Sequence, residues 1–447
     1  MKVTTLLFYI LLLMLPLGNL TRLSFGTIAL TVNDLVLPLL IVAWLAHQFI
    51  IVKKVYLPTR SGILFLFSTW AFITLLSGLR YIDTQQFLVS FLYWFRWMEY
   101  GTLFILVYNL VISNRGTLQE DNTATQVTLP AQADNYQSPI TNIESFSLKI
   151  LKLLLFGQLV FVLFGFAQYI LFPDFSKFVQ HGWDPHFYRL LSTFLDPNFA
   201  GIFIILGMIV CGSFLLVGGK ELYKRKLFTL FLIFLLVVSA VAVLLTFSRS
   251  SYLALMVAAG ILGMIRSRKM LFVFGVIALA SFLFIPRVQE RVIGAVTLDE
   301  TARLRLESYE KTWQIIEDNI WFGVGFNTFR YAQDREGFFQ DDRGVNFPEG
   351  HAGAGADSSI LFLLATTGIV GFFLYIVLWG TFVFDSFNVY RNKNLPWISR
   401  VLGLTFFTSN LVLMVNSQFV NSLFLIWIME WMWITGGLMY GLKQVQD

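Results

Sequence analysis

Apolar runs of about 20 residues recur from one end of this chain to the other, and that recurrence limits the fold more than any other feature. In hydrocarbon every backbone N–H and C=O must be satisfied within the protein, so only helices or a closed barrel can span it. The runs are too long and too continuous for the alternation of barrel strands. They predict an all-α polytopic membrane protein with about twelve transmembrane helices. The spans lie near residues 5–20, 33–52, 61–79, 90–112, 149–172, 197–217, 227–246, 250–267, 270–286, 357–385, 398–418 and 421–442. Charged residues are only 13% of the chain, against about 25% in an ordinary soluble domain.

The basic residues orient this map, because cytoplasmic loops carry an excess of Lys and Arg. With the N-terminus inside, the inner segments hold 18 basic residues, including the clusters Lys53–Lys54 and Lys224–Arg225–Lys226. The short outer loops hold 5: Arg22, Arg80, Lys177, Arg189 and Arg249. Both termini are therefore expected in the cytoplasm, in a multi-pass protein of the cytoplasmic (inner or plasma) membrane with lipid around it. The first segment, MKVTTLLFYILLLMLPLG, has no small-x-small cleavage site after it and is read as an uncleaved first helix. The single cysteine, Cys211, excludes an intramolecular disulfide, and no Cys/His cluster points to a metal. The net charge of +5 is modest and implies no nucleic-acid partner.

The map divides the chain into five parts. Residues 1–112 carry helices one to four, 149–286 helices five to nine, and 357–447 helices ten to twelve. Residues 113–148 are polar, short of aliphatics and without periodicity, as expected of a disordered cytoplasmic linker. Residues 287–356 form one large extracytoplasmic loop. Within it Leu306, Tyr309, Trp313, Ile316 and Ile320 step by 3 and 4, which predicts an amphipathic helix lying on the membrane or capping a cavity. Arg303–Glu307 and Glu307–Lys311 are i,i+4 pairs on it. Two glycines between aromatics in WFGVGFNTF predict a tight, closely packed turn. Asp341, Asp342, Glu349, His351 and Asp357 follow in the same loop; the paired Asp341 and Asp342 could bind a cation but read better as a solvated turn.

Arginines on the outer side are the candidates for binding. Arg189 precedes Asp196-Pro197-Asn198, a helix start whose N–H groups would point at an anion. Arg249 occupies the two- or three-residue turn TFSRSSY between two spans, where its charge either snorkels or serves a polar cavity. Arg303 or Arg305 heads the amphipathic helix. Guanidinium groups match phosphate oxygens in bidentate fashion, so several together would suit a lipid-linked pyrophosphate; each alone could equally pair with an acid or a lipid headgroup. Inside the spans, Arg96 is placed to neutralise Glu99, while Glu430 has no partner in its own helix.

Four stretches carry a resemblance. RLLSTFLDPNFAG, LLTFSRSSYLAL, RLESYEKTWQIIEDNIWFGVGFNTF and DSSILFLLATTGIVG resemble, in this order, the signature segments of the O-antigen ligase and O-antigen polymerase superfamily. These are bacterial membrane enzymes acting on glycans carried by undecaprenyl diphosphate. About twelve spans, with one large loop before the last three, also resemble that family. The chain departs from it where Asp357 stands in place of the usual histidine, Ser358 in place of Asn, and Thr366 in place of the acid nine residues on.

The resemblance implies a metal-independent, inverting glycosyltransferase without cofactor, working on the outer face. Its donor would be a polyprenyl-diphosphate-linked glycan, and its acceptor a hydroxyl on a glycan, lipid or protein. Arg189, Arg249 and, less directly, Arg305 would bind the diphosphate, and Asp357 or His351 would deprotonate or orient the acceptor. The signatures are shared by ligases and polymerases and do not separate them. A transporter or flippase for a lipid-linked sugar is the contrasting class, but no inverted repeat is visible. A cell-wall polymerase of the shape, elongation and division type is a second rival, against which the Ser-Arg turn and the Gly-Ile-x-Gly segment argue.

Overall fold

Helices form where the apolar runs lie. The computed structural model describes residues 2–25, 28–123, 139–181, 183–266, 268–338 and 355–444. The chain opens with α1 (Lys2–Met14), followed by a short antiparallel pair, β1 (Leu23–Phe25) and β2 (Ile28–Leu30). Then come α2 (Val32–His47), α3 (Ser61–Gly78), α4 (Thr84–Thr123) and α5 (Pro139–Leu171). The middle holds α6 (Pro197–Val217), the short α7 (Gly219–Tyr223), α8 (Lys226–Thr246), α9 (Arg249–Arg266) and α10 (Arg268–Phe284). Three helices cover the predicted loop: α11 (Pro286–Val296), α12 (Glu300–Asp318) and α13 (Phe329–Arg335). The last three are α14 (Ser359–Arg391), α15 (Trp397–Asn416) and α16 (Ile426–Gln444).

Among the described residues eight helices are long and apolar enough to cross a membrane, or nine if the bent pair Leu271–Phe284 and Pro286–Asp318 counts as one span. The other expected spans overlie helices too: α10 passes only as part of that bent pair, and α4, α9 and α16 do not meet that measure of length or composition. The expected linker is partly helical: α4 continues to Thr123 and α5 begins at Pro139. Residues 124–138 lie outside the described residues.

The centre of the bundle is α6, buried at nearly every position from Pro197 to Phe214. Its entry is fixed by the local sequence. Pro197 sits in the first turn, and the Asp196 carboxylate accepts hydrogen bonds from the N–H groups of Asn198 and Phe199 at 2.7 and 2.9 Å. The N–H groups expected to face an external anion are thus taken by this side chain. Just before the cap, Phe194 stacks on Trp427 of α16 with ring centroids 4.3 Å apart.

Buried charges find partners across helices. Arg96 on α4 pairs with Asp34 on α2 at 2.7 Å, not with Glu99, which corrects the local pairing expected from sequence. Glu430 on α16 accepts a hydrogen bond from Asn33 Nδ2 at 2.7 Å. At the opposite end of the bundle from Asp196, Arg60 grips Asp385 through two N–H groups at 2.7 and 3.0 Å, and Tyr440 donates to the same carboxylate at 2.7 Å. That clamp joins the start of α3 to the ends of α14 and α16.

The segment WFGVGF docks as the paired glycines suggest. α14 is broken at Gly368, which takes a left-handed φ of +63°. The exposed backbone there is met by a second backbone. Val324 N–H donates to Ala365 O at 2.9 Å, Gly325 N–H to Thr366 O at 3.2 Å, and Ile369 N–H to Ile320 O at 2.8 Å. A Cβ on Gly323 would lie 2.5 Å from the Thr366 carbonyl carbon, and one on Gly368 would run into the Trp321 carbonyl.

α12 lies against α14 with a face that keeps Ile316 of the predicted stripe but is rotated away from Leu306, Trp313 and Ile320. Thr312, Ile315 and Ile316 are buried with Phe329, Phe362 and Ala365. Leu306, Trp313 and Ile320 remain 45%, 49% and 47% exposed. Of the two expected ion pairs, Glu307–Lys311 is formed at 2.8 Å.

Gly323→Ala and Gly368→Ala should each destabilise the protein by at least about 2 kcal/mol, since each adds left-handed strain to a backbone clash. Gly380→Ala, where a Cβ would meet nothing within 4 Å, should be close to neutral. Thermal unfolding in detergent distinguishes them.

Candidate functional site

The loop between α5 and α6 builds one wall of the site. Its two arms meet at an isolated bridge between Asp174 and Phe187, with Phe175 N–H donating to His186 O at 2.8 Å and Tyr188 N–H to Pro173 O at 2.7 Å. Tyr188, Ser192 and Leu195 all hold left-handed φ angles, of 45°, 51° and 58°. Such backbone costs free energy and persists only where surrounding contacts over-determine it. Here Ser192 Oγ donates to Phe161 O at 2.6 Å and Thr193 Oγ1 to Pro16 O at 2.8 Å. Arg189 projects from this loop to the end of α8, where Nε donates to Thr246 O at 2.9 Å and Nη2 to Phe247 O at 3.3 Å.

The same loop gathers Asp184, His186 and Asp196. One carboxylate oxygen or ring nitrogen from each lies within 4.8 Å of the others. Burial pushes the Asp184 carboxyl up to about 6, helped by the nearby Asp196 and Asp357. Burial pushes the His186 imidazole down to about 3, and Arg189 and Arg291 reinforce the shift. Arg189 itself falls to about 10, first through burial and then through Arg291. Asp196 is raised by burial, against its hydrogen bonds to Phe199 and Asn198 N–H.

The turn between α8 and α9 forms the second wall. Phe247, at φ +47°, reverses the chain in two residues, as the TFSRSSY turn predicts. Ser248 Oγ donates to Asn198 Oδ1 at 2.8 Å and ties the turn to α6. Arg249 is fully engaged. Nε donates to Arg291 O at 2.6 Å, Nη1 to Asp299 Oδ1 at 2.9 Å, and Nη2 pairs with Asp299 Oδ2. Asp299 is the N-cap of α12 and also accepts from Ala302 N–H at 3.0 Å. The hydrogen bond from Arg249 holds its carboxyl below the usual range. The arginine of the turn thus anchors the start of α12.

α12 carries Arg305 into the space between these walls. Among the described residues its Nε is enclosed without a hydrogen-bond partner, and its charge pulls against the raised carboxyls of Asp196 and Asp357. Asp357 stands just before the Ser358 cap of α14, its N–H 3.4 Å from Ser308 Oγ on α12. Its surface is exposed, but the protein packed around it raises its carboxyl, with Asp196 adding to the shift. Tyr309 donates to Gln418 O across the same space.

Asp357, Arg189 and Arg305 are therefore brought to one end of the bundle, with Arg249 behind them. His351, Asp341, Asp342 and Glu349 lie outside the described residues. Thr366 is buried and donates to Phe362 O at 2.7 Å, so it contributes packing at the α14 break. Sequence reasoning missed the acidic side of the site: Asp184, His186 and Asp196 as a group, and Asp299 as the partner of Arg249. The signal was present in two Asp-Pro steps, Asp184-Pro185 and Asp196-Pro197, flanking Arg189 in one loop. An aromatic cavity lined by Trp97, Tyr375, Trp379, Phe382 and Trp433 lies within the bundle and includes none of these charged groups.

Residues 234–376 match the protein family described as O-Antigen ligase. That stretch runs from α8 into α14 and contains Arg249, Asp299, Arg305 and Asp357, while Asp184 and Arg189 precede it. No curated protein matches the chain.

Arg249→Gln and Asp299→Asn should each loosen α12, and together should do little more than either alone. The coupling is expected to be on the order of 1 kcal/mol. Amide exchange over residues 300–318 reads it: faster exchange in both single variants and no further gain in the double.

Proposed function

We propose that the chain is a membrane glycosyltransferase of the O-antigen ligase and polymerase type, a reading that the match over residues 234–376 and the apolar helices support. It moves a glycan from a polyprenyl-diphosphate carrier to an acceptor hydroxyl at the outer face of the cytoplasmic membrane. The observation that carries this reading is the meeting of Arg305, whose Nε has no hydrogen-bond partner among the described residues, with the carboxylate of Asp357 where α12 crosses the start of α14.

In the proposed reaction Asp357 takes the proton from the acceptor hydroxyl. The acceptor oxygen bonds to the anomeric carbon as the bond from that carbon to the diphosphate oxygen breaks. One displacement inverts the anomeric centre. Negative charge grows on the leaving diphosphate, and Arg305 and Arg189 stabilise it in a site partly closed to water. Arg249 acts through Asp299 by holding α12, and so Arg305, in place. His351 remains the second candidate for orienting the acceptor. Ligase and polymerase share this chemistry and differ in the acceptor.

Transfer from a lipid-diphosphate donor in membranes lacking the native enzyme tests the proposal. Arg305→Ala should lose about 10²–10³ in rate, the effect of removing one charge-stabilising donor. Asp357→Asn should abolish turnover. Because the Asp357 carboxyl is raised, wild-type activity should fall as pH drops and its base takes up a proton. Full activity in both Asp357→Asn and His351→Ala would remove both bases and sink the mechanism.

A further inference from the structure

We propose that Asp184, His186 and Asp196 form a binding site for a first-row divalent metal ion. The inference departs from the sequence-based expectation of no metal, and it does not depend on the glycan-transfer reading.

Three independent features support it. The first is spacing. Metal bonds to imidazole nitrogen and carboxylate oxygen are about 2.0–2.2 Å long, so ligand atoms on opposite sides of one ion stand about 4.4 Å apart at most. The three donors already lie within 4.8 Å of one another, so small side-chain rotations close the site.

The second is unspent hydrogen-bonding capacity. His186 Nε2 is shut off from solvent and has no partner among the described residues, although buried polar atoms are nearly always satisfied. The carboxylate of Asp184 forms no hydrogen bond to a described residue, whereas Asp174 in the same loop accepts through Oδ1 from Ser176 N–H and Oγ. Asp196 spends Oδ1 on the N–H groups of Asn198 and Phe199, which leaves Oδ2 available.

The third is the lack of a hydrogen-bonded cation. Two carboxylates and an imidazole stand together, while the N–H groups of Arg189 in the same loop go to the carbonyls of Thr246 and Phe247, and it forms no ion pair among the described residues. A bound dication would supply that missing partner.

The donor set defines the class of ion. Two carboxylates with one imidazole suit manganese or zinc better than magnesium or calcium, which prefer oxygen alone, or copper(I), which prefers sulfur. Three protein ligands leave coordination positions open to water or to an oxygen ligand.

The test uses the full-length protein in detergent, stripped with EDTA and desalted. Mn²⁺ binding is followed by the loss of the free-ion electron paramagnetic resonance signal, and Zn²⁺ by competition against it. One ion per chain is expected, with affinity falling at least tenfold in Asp184→Asn and in His186→Gln but unchanged in Asp174→Asn. A shift of selectivity towards Zn²⁺ in His186→Cys would confirm that residue 186 is a ligand. Absence of stoichiometric binding to the wild type overturns the proposal whatever the variants do. Unchanged affinity in both folded ligand variants overturns it as well. Because neither donor lipid nor acceptor is present, failure here leaves the transfer assay untouched.

Discussion

The seam between two backbones, Ile320–Gly325 on one side and the break of α14 on the other, is the contact on which the rest of the arrangement depends. Three main-chain hydrogen bonds cross it, at Val324, Gly325 and Ile369. They satisfy carbonyl and amide groups that the break at Gly368 would otherwise leave buried without partners. The same bonds fix the end of α12 against the first turns of α14. Arg305 is on one of these helices and Asp357 at the start of the other, so the distance between the two charged groups is set by a contact made of backbone.

Around that seam each arginine has a distinct task. Arg189 closes the end of α8 and Arg249 holds the cap of α12, which leaves Arg305 as the guanidinium whose Nε has no partner among the described residues. The acids are divided in the same way. Asp299 is held ionised by its partner, while burial raises the carboxyls of Asp184, Asp196 and Asp357. One wall of the site is thus neutralised internally, and the other holds carboxyls that ionise less readily. These differences come from which groups have partners, more than from how many charges are present.

The sequence disclosed what depends on local order. Apolar runs placed the helices because length and hydropathy are local properties. Asp196-Pro197 announced the start of α6, Ser-Arg announced the α8–α9 turn, and the glycines of WFGVGF announced close packing. What depended on distant partners was not legible. Arg96 has Glu99 one helical turn away, yet pairs with Asp34 on another helix. The periodic stripe on α12 named Trp313, but Trp313 instead gives its ring N–H to Glu317 at 2.7 Å and stays at the surface. Thr312 and Ile315 are buried because α14 approaches that side, which no pattern within α12 records. The charged wall was half visible: the arginines stood out against the topology, and the aspartates did not.

The clamp of Arg60, Asp385 and Tyr440 makes a fulcrum. It pins α3, α14 and α16 at one end of the bundle, while the charged site lies at the other. From Asp385 to Ile369 the helix is a rigid rod of about 24 Å, at 1.5 Å per residue. Each degree of tilt about the pinned end therefore displaces the α14 break, and the backbone seam resting on it, by about 0.4 Å. In mechanical terms the protein is a pair of tongs: firm at the rivet, with whatever play its helices have amplified at the tips.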